Sequence, residues 1–433
     1  MINFENNLEF ARQLDKEDPL SRFKSLFHFP KKDNKPVTYF CGNSLGLQPK
    51  GVKEKIEKYL DDWAKYGVEG HVKGKNPWVD FHKKFRRPLA TLVGAEENEV
   101  IAMNSLTVNL HLMLTTFYLP TNKRYKIITE ANNFSSDLYA LESQIRMKGF
   151  DPDEALIEVF PREGEFTIAH EDVMAEIAKA GDSLALVLLS GVNYYTGQAF
   201  NMKEITAAAH QQGAKVGFDL AHAIGNIKMN LHEWQVDFAV WCSYKYLNSG
   251  PGGTGGLFVN NNHSLSDDLP RLAGWFGHKE DERFLMKKGY IPEPGADGWQ
   301  LSNAPILSLT ALSASLELFE QAGFDALLEK SKLLTSYLEY LITCSCNMKT
   351  MQDGTASYKI KIITPNTADE RGCQLSIHVR NNGKLLFENL IFNGFVVDWR
   401  VPSVLRVAPV PLYNSFEEVY HLAQLLSKTC CHE

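Results

Sequence analysis

Long apolar runs are missing from this 433-residue chain. The longest, Leu184 to Leu189, covers six residues, whereas a helix that crosses a bilayer needs roughly 20, so no membrane partner is expected. A basic surplus is missing as well. The 45 lysines and arginines face 52 acidic residues, for a net charge of −7. That balance excludes a general nucleic-acid or membrane-surface binder, although it leaves room for a local anion site. The seven cysteines include a Cys344/Cys346 pair and a terminal Cys430-Cys431 pair, in no spacing that builds a zinc site or a disulfide framework. No metal, reduced thiols and a cytoplasmic location are the expectations. The first twenty residues carry Glu5, Glu9, Asp15, Glu17 and Asp18 with no apolar core, which argues against a secretory signal or a mitochondrial transit peptide. There is no internal repeat and no low-complexity segment.

What is present suits a globular protein: 44% apolar residues can build a core and 22% charged residues can cover it. The length exceeds what one core usually organises, so two domains are expected. Residues 1 to 36 read as an arm of helix and loop, followed by a strand-like Val37–Phe40 and a glycine turn, CGNSLGLQP, that carries Ser44. Gly51 to Tyr66 has a helical pattern, with Val52, Ile56, Tyr59, Leu60 and Trp63 on one face. His71 follows in a loop, where it serves either as surface decoration or as a site residue.

From about residue 80, apolar runs alternate with helical patterns. Strands are predicted at Val100–Met103, Lys126–Thr129, Leu156–Phe160, Leu184–Leu189, Ala214–Phe218, Phe238–Cys242 and Leu257–Asn260, with helices after Ser105 and at Leu138–Lys148, Glu171–Lys179 and Glu204–Gly213. Unbroken apolar strands separated by helices indicate a parallel sheet covered on both faces. Ligands of such sheets gather at the carboxyl ends of the strands. Ser105, Thr107, Phe134, Asp137, Ser190, Asp219, His222 and Lys245 all fall just after predicted strands, which puts one polar set on one edge. Ser105 and Thr107 open a helix, where they read either as a plain N-cap or as an anion site.

The stretch Trp241–Gly256, WCSYKYLNSGPGGTGG, is the centre of this arrangement. A buried strand delivers Lys245 to a glycine-rich turn whose backbone can approach a ligand closely. Burial disfavours a charged amine, and such a lysine is either a surface residue in a turn or a Schiff-base former, above all with pyridoxal phosphate. Further on, helices are predicted at Leu307–Gln321 and Phe324–Ile342, and strands near Tyr358–Ile363, Cys373–His378 and Val396–Trp399, as in a smaller α+β domain. That domain carries Arg406 in an apolar, proline-flanked segment, suited either to bidentate carboxylate capture or to pairing with a local acid.

The motifs GNSLGLQP, GHVKGKNPW, NSLTVNLH, GVNYYTGQ, GFDLAHAIGN, DFAVWCSYKYLNSGPGG, GWFGH, LSNAP and LRVAPVPLYNSF together resemble the kynureninases over essentially the whole chain. These are pyridoxal-phosphate enzymes of fold type I, the aspartate-aminotransferase fold. The resemblance implies an α/β architecture, with a large domain built on a mainly parallel seven-stranded sheet covered by helices and a smaller α+β domain. The boundaries expected are an arm and part of the small domain at 1–65, the large domain at 66–310 and the C-terminal small domain at 311–433. It also implies that Lys245 carries the cofactor, that Asp219 pairs with the pyridine nitrogen with Asp137 sharing the task, and that Phe134 stacks on the ring. Leu106, Thr107 and Tyr244 would contact the phosphate, and Ser190, His222, Ser135 and Ser136 would line the cofactor site. Trp275 and Asn303 would come from the partner of a homodimer whose site lies at the subunit interface. Arg406 would hold the substrate carboxylate, with Ser44, His71 and Asn303 at the aryl-ketone end. Many relatives have proline where this sequence has Ser135, which leaves Phe134 and Asp137 in place.

The implied reaction is hydrolysis of the Cβ–Cγ bond of L-kynurenine or 3-hydroxy-L-kynurenine to anthranilate or 3-hydroxyanthranilate and alanine, in tryptophan catabolism and NAD synthesis. Lys245, Asp219 and Tyr244 would be catalytic, Tyr244 as proton shuttle. The rival readings are a cysteine desulfurase, which needs a cysteine on a mobile glycine-rich loop, an aminotransferase, and a non-catalytic cofactor-binding protein.

Overall fold

The computed structural model describes residues 3–264, 269–345, 349–350, 356–357 and 360–431. Cys346 and Tyr358 lie outside the described residues, as do the side chains of Cys430 and Cys431. The chain divides into two compact units. One comprises Met1–Gly51, Tyr195–Ala199 and Glu317–Glu433, the other Val52–Tyr194 and Phe200–Leu316.

Helix α1 (Leu8–Glu17) opens the first unit, its N-cap Asn7 accepting from the Phe10 amide at 2.8 Å. Helix α2 covers Gly51–Tyr66 as predicted, but only part of its apolar face is covered: Val52 and Tyr59 are buried, whereas Leu60 and Trp63 are exposed. The second unit is then built on seven strands: β1 (Val100–Ala102), β2 (Lys126–Glu130), β3 (Leu156–Val159), β4 (Leu184–Ser190), β5 (Lys215–Asp219), β6 (Phe238–Trp241) and β7 (Gly256–Val259). They form one sheet in the order β1-β7-β6-β5-β4-β2-β3. All pairs are parallel except those of β7, which runs antiparallel to both β6 and β1. The seven-stranded, mainly parallel sheet is therefore present.

Helices α3 (Arg86–Val93), α4 (Leu106–Phe117), α5 (Ser135–Met147), α6 (His170–Ala180) and α7 (Met202–Gln211) alternate with these strands. Coverage of both faces explains why β4 is buried at every position, since a two-sided strand has no solvent face on which to place polar residues. Each fully buried Leu, Val or Phe of this kind stabilises the fold by about 1.5–3 kcal/mol. The core runs from Leu110, Met113 and Leu114 on α4 to Leu186 and Leu188 on β4 and Phe238 on β6.

Helix α5 starts at Ser135, three residues before the predicted Leu138. Phe134 is the non-helical cap (φ −57°, ψ 130°), and the Asp137 amide already donates to its carbonyl at 2.9 Å. The hydrophobic period could not reveal this start, because Ser135, Ser136 and Asp137 are polar.

Helix α8 (Ile306–Ala322) contains the division between Leu316 and Glu317. The first unit continues with α9 (Phe324–Ser345), β8 (Ile360–Ile362), β9 (Leu375–Val379), α10 (Gly383–Phe392), β10 (Asp398–Arg400), β11 (Val404–Val407) and α11 (Phe416–Cys431). Its sheet is antiparallel, in the order β8-β9-β11-β10, and its core joins Leu338 and Leu341 of α9 to Leu375, Leu405 and Leu422. The predicted strand Val396–Trp399 is split. Phe395–Val396 pairs in parallel with Thr38–Tyr39, and Asp398–Arg400 pairs with β11. One extended run serves two ladders, so it reads as a single strand by composition.

Gly217 on β5 faces Phe238 on β6 directly. A Cβ there would lie 2.1 Å from the Phe238 ring, which is itself stacked 5.0 Å from Phe117. Gly217→Ala is expected to destabilise the protein by about 1–3 kcal/mol through overpacking, seen as a lower urea midpoint at unchanged slope.

Candidate active site

Lys245 stands in the loop after β6, and the local sequence explains how it is held there. Phe238–Trp241 is buried throughout, so the chain leaves the sheet only at Cys242. The Ser243 hydroxyl then bonds to the Ser249 hydroxyl at 2.7 Å and to the Thr254 carbonyl, closing a tight loop whose reversal uses positive φ at Asn248 (48°) and Gly250 (87°). The glycine run also has a packing role. A Cβ on Gly255 would lie 2.4 Å from the Trp241 carbonyl and 3.3 Å from the Leu106 amide. Gly255 thus lets the turn pack against the backbone of β6 and the first residue of α4.

Around Lys245 is a cleft lined by Leu106, Thr107, Phe134, Ser136, Asp137, Ser190, Asp219, His222, Tyr244 and Lys245. Ser135 lies beside it as the first residue of α5. That is the position where proline is also tolerated, because its amide has no helical acceptor. His71, Trp275 and Asn303 belong to the same unit but do not line the cleft, and Ser44 and Arg406 belong to the other unit. Arg406 is buried and donates from Nε to Asp398 at 2.7 Å. The local-acid pairing is therefore present. Sequence reasoning missed Asn133, Val192, Tyr194, Ala221 and Cys242, which also line the cleft. It missed Glu130 as well, although an acid closing an apolar strand is the same signal that marked Asp219.

Two helices begin at the cleft without a side-chain cap, α4 after Ser105 and α5 after Phe134. Thr107 Oγ1 and Ser136 Oγ meet at 2.8 Å between them. The first amides of a helix have no acceptor within it, and together with the helix dipoles they make an anion cradle. The Phe134 ring is half exposed, with Lys245 Nζ 6.0 Å from its centroid.

Opposite the cradle lie buried acids. Glu130, Asp137 and Asp219 are at most 6% exposed. Burial, followed by the Asp219 and Glu130 charges, pushes Asp137 well above the usual carboxylate range, with Lys245 opposing. Burial also raises Asp219, although its bond with Asp137, the Lys245 charge and the Ala221 amide pull the other way. Two neighbouring carboxyls cannot both ionise cheaply, and Asp137, which its interaction with Asp219 raises, is the one favoured to keep the proton. No donor reaches either oxygen of Asp137. Such a pair calls for a cationic N–H. Anion cradle, aromatic face, amine and acid pair together fit pyridoxal phosphate. Among the described residues no group of His, Cys, Asp and Glu is arranged to hold a metal ion.

Comparison with known proteins agrees with this geometry. The model of the family Aminotransferase class-V matches residues 38–419. The kynureninase of Flavobacterium psychrophilum is 51% identical over 425 residues, covering 98% of both chains. The chain belongs to the kynureninase family. Similar relatives include the kynureninases of Myxococcus xanthus, at 50% identity over 98% of this chain and 97% of the relative, and of Nematostella vectensis, at 46% over 97% and 93%. Among solved structures, the apo cysteine desulfurase of Thermococcus onnurineus superposes with a TM-score of 0.72 at 18% identity, covering 99% of each chain. The cysteine desulfurase CsdA of Escherichia coli gives 0.71 at 14%, covering 94% and 98%. These two show the fold.

In this kynureninase-family chain, burial raises the Tyr244 phenol, and contact with Cys242 adds to the effect. Tyr244 is therefore a neutral hydroxyl at working pH. Cys242, raised by burial, is a thiol beneath it.

Because the folded pKa of Asp137 exceeds its unfolded value of 3.8, ionisation disfavours the fold increasingly as pH rises above that value. Asp137→Asn keeps a donor for Asp219 and removes the titration. The apo variant is expected to be more stable than wild type at pH 7, with the gain shrinking as pH falls towards 4. Thermal melts across pH test this.

Proposed function

We propose that the cleft around Lys245 performs the reaction of its family. The protein is a pyridoxal-phosphate-dependent carbon–carbon bond hydrolase, which cleaves L-kynurenine or its 3-hydroxy form to the corresponding anthranilate and L-alanine, in tryptophan catabolism. The observation that carries this reading is the placement of one amine, Lys245 Nζ, between an aromatic face and a buried acid pair at the carboxyl edge of the sheet. When bound, pyridoxal phosphate supplies an electron sink for the pair released at the substrate α-carbon.

The chain's own groups do the rest. The amides and hydroxyls at the starts of α4 and α5, Thr107 and Ser136 among them, would hold the phosphate, with Leu106, Ser135 and Tyr244 beside them. Phe134 would stack on the ring, and Asp219 would accept the hydrogen bond of its nitrogen, with Asp137 behind it. Ser190 and His222 would complete the cofactor site. Lys245, freed by the substrate amine, would take the α-proton and return it. Tyr244, kept neutral by burial, would donate and regain a proton next to the lysine. Arg406 would bind the substrate carboxylate, its guanidinium aimed by Asp398. Ser44, His71 and Asn303 would face the aryl ketone, where water adds.

We further propose a cytoplasmic homodimer in which Trp275 and Asn303 reach the neighbouring protomer's cleft. The 41% exposure of Trp275, beside an exposed Phe284, supports that reading. Among the described residues no helix is long and apolar enough to cross a membrane.

The test is a visible spectrum of the purified protein, followed by addition of L-kynurenine. A band lost in Lys245→Ala and blue anthranilate fluorescence in wild type are expected. A lysine-dependent band without a free aromatic amine would overturn the substrate and leave an aminotransferase or desulfurase. Asp219→Asn is expected to lower kcat by about 10²–10⁴, the range of a lost proton-transfer partner.

A further inference from the structure

Glu130 closes β2 with no solvent exposure, one strand away from the cleft. It receives two donors from a single residue. The Ser190 amide reaches its carboxylate at 3.0 and 3.2 Å, and the Ser190 hydroxyl bonds to Oε1. Ser190 lines the cleft and stands directly opposite Asp219 in the β4–β5 register. A serine hydroxyl has one proton and two lone pairs. If Glu130 is ionised, that proton must point at Glu130, and Ser190 offers the cleft a lone pair. If Glu130 is protonated, its own proton can occupy the contact, and the Ser190 proton is free to turn into the cleft.

We propose that Glu130 is a positioning residue: its protonation state sets whether the Ser190 hydroxyl accepts or donates a hydrogen bond at the Asp219 end of the cofactor site. This rests on the cofactor reading above. The charged groups acting on Glu130 are Asp219 on β5 and Asp137 on α5, and Lys245 in the loop after β6 acts in turn on both aspartates. Burial raises the Glu130 carboxyl to about 7, although the two Ser190 bonds pull it down. The switch therefore falls inside the working pH range.

Two measurements test it on Glu130→Gln and Ser190→Ala, with thermal melts to confirm folding. The first is the infrared carboxylic-acid stretch of the apo protein across pH. Wild type is expected to lose one acid signal around pH 7 that Glu130→Gln lacks. In Ser190→Ala the loss should move to higher pH, because the ionised form has lost a donor. The second is the pH dependence of the visible band of the holoenzyme. In wild type the band is expected to shift with the Glu130 titration, and this shift should vanish in both variants. A purely structural Glu130 would change the melts and leave the band's pH profile intact. That result, the absence of a Glu130 titration, or a band that still follows pH in Ser190→Ala would each overturn the proposal. Absence of any Lys245-dependent band in wild type would instead overturn the cofactor reading.

Discussion

Glu130, Asp137, Asp219 and Lys245 are gathered at one edge of a covered sheet, where water cannot solvate all of them. Buried carboxyls cost several kcal/mol each unless paired, and a single lysine cannot neutralise three of them. Burial, with the neighbouring carboxylates adding to it, holds Asp137 and Glu130 above the ordinary carboxylate range. The cost makes sense as preparation for a ligand that brings its own cationic N–H. Stability is reduced at this edge so that one occupant fits it well.

The scaffold tolerates that cost because the rest of the sheet is apolar and rigid. Strand β4 is fully buried along its length and ends at Ser190, β5 ends at Asp219 and β2 at Glu130. The parallel order brings these termini side by side. Gly217 and Gly255 do opposite jobs in this frame. Gly217 makes room for Phe238 within the core, whereas Gly255 allows the turn after Lys245 to close against α4. The first unit contributes a different kind of order, with Arg406 fixed within an antiparallel sheet by Asp398.

Fold and chemistry separate cleanly here. Cysteine desulfurases share the architecture at TM-scores above 0.7 with under a fifth of residues identical, so the architecture does not choose the reaction. The choice lies in side chains at strand ends and helix starts, and those are where the resemblance to kynureninases is carried, in NSLTVNLH, GFDLAHAIGN and WCSYKYLN.

Much of this was legible in the sequence for a local reason. Helix α2 follows from apolar period and the seven strands of the large sheet from unbroken apolar runs, and Thr107, Asp219 and Lys245 stand out because each falls just past such a run. What sequence could not supply is everything that depends on residues distant in the chain. Thr107 meets Ser136 from another helix, Asp137 touches Asp219 across 82 positions (219 − 137), and Glu130 acquires its partner from a strand 60 residues away. The start of α5 was hidden because its first turn is polar, and the Val396–Trp399 run because one composition serves two ladders. Periodicity reports which side of an element is buried. Which charges then share that burial, and so which groups hold protons, is decided only when the folded chain brings them together.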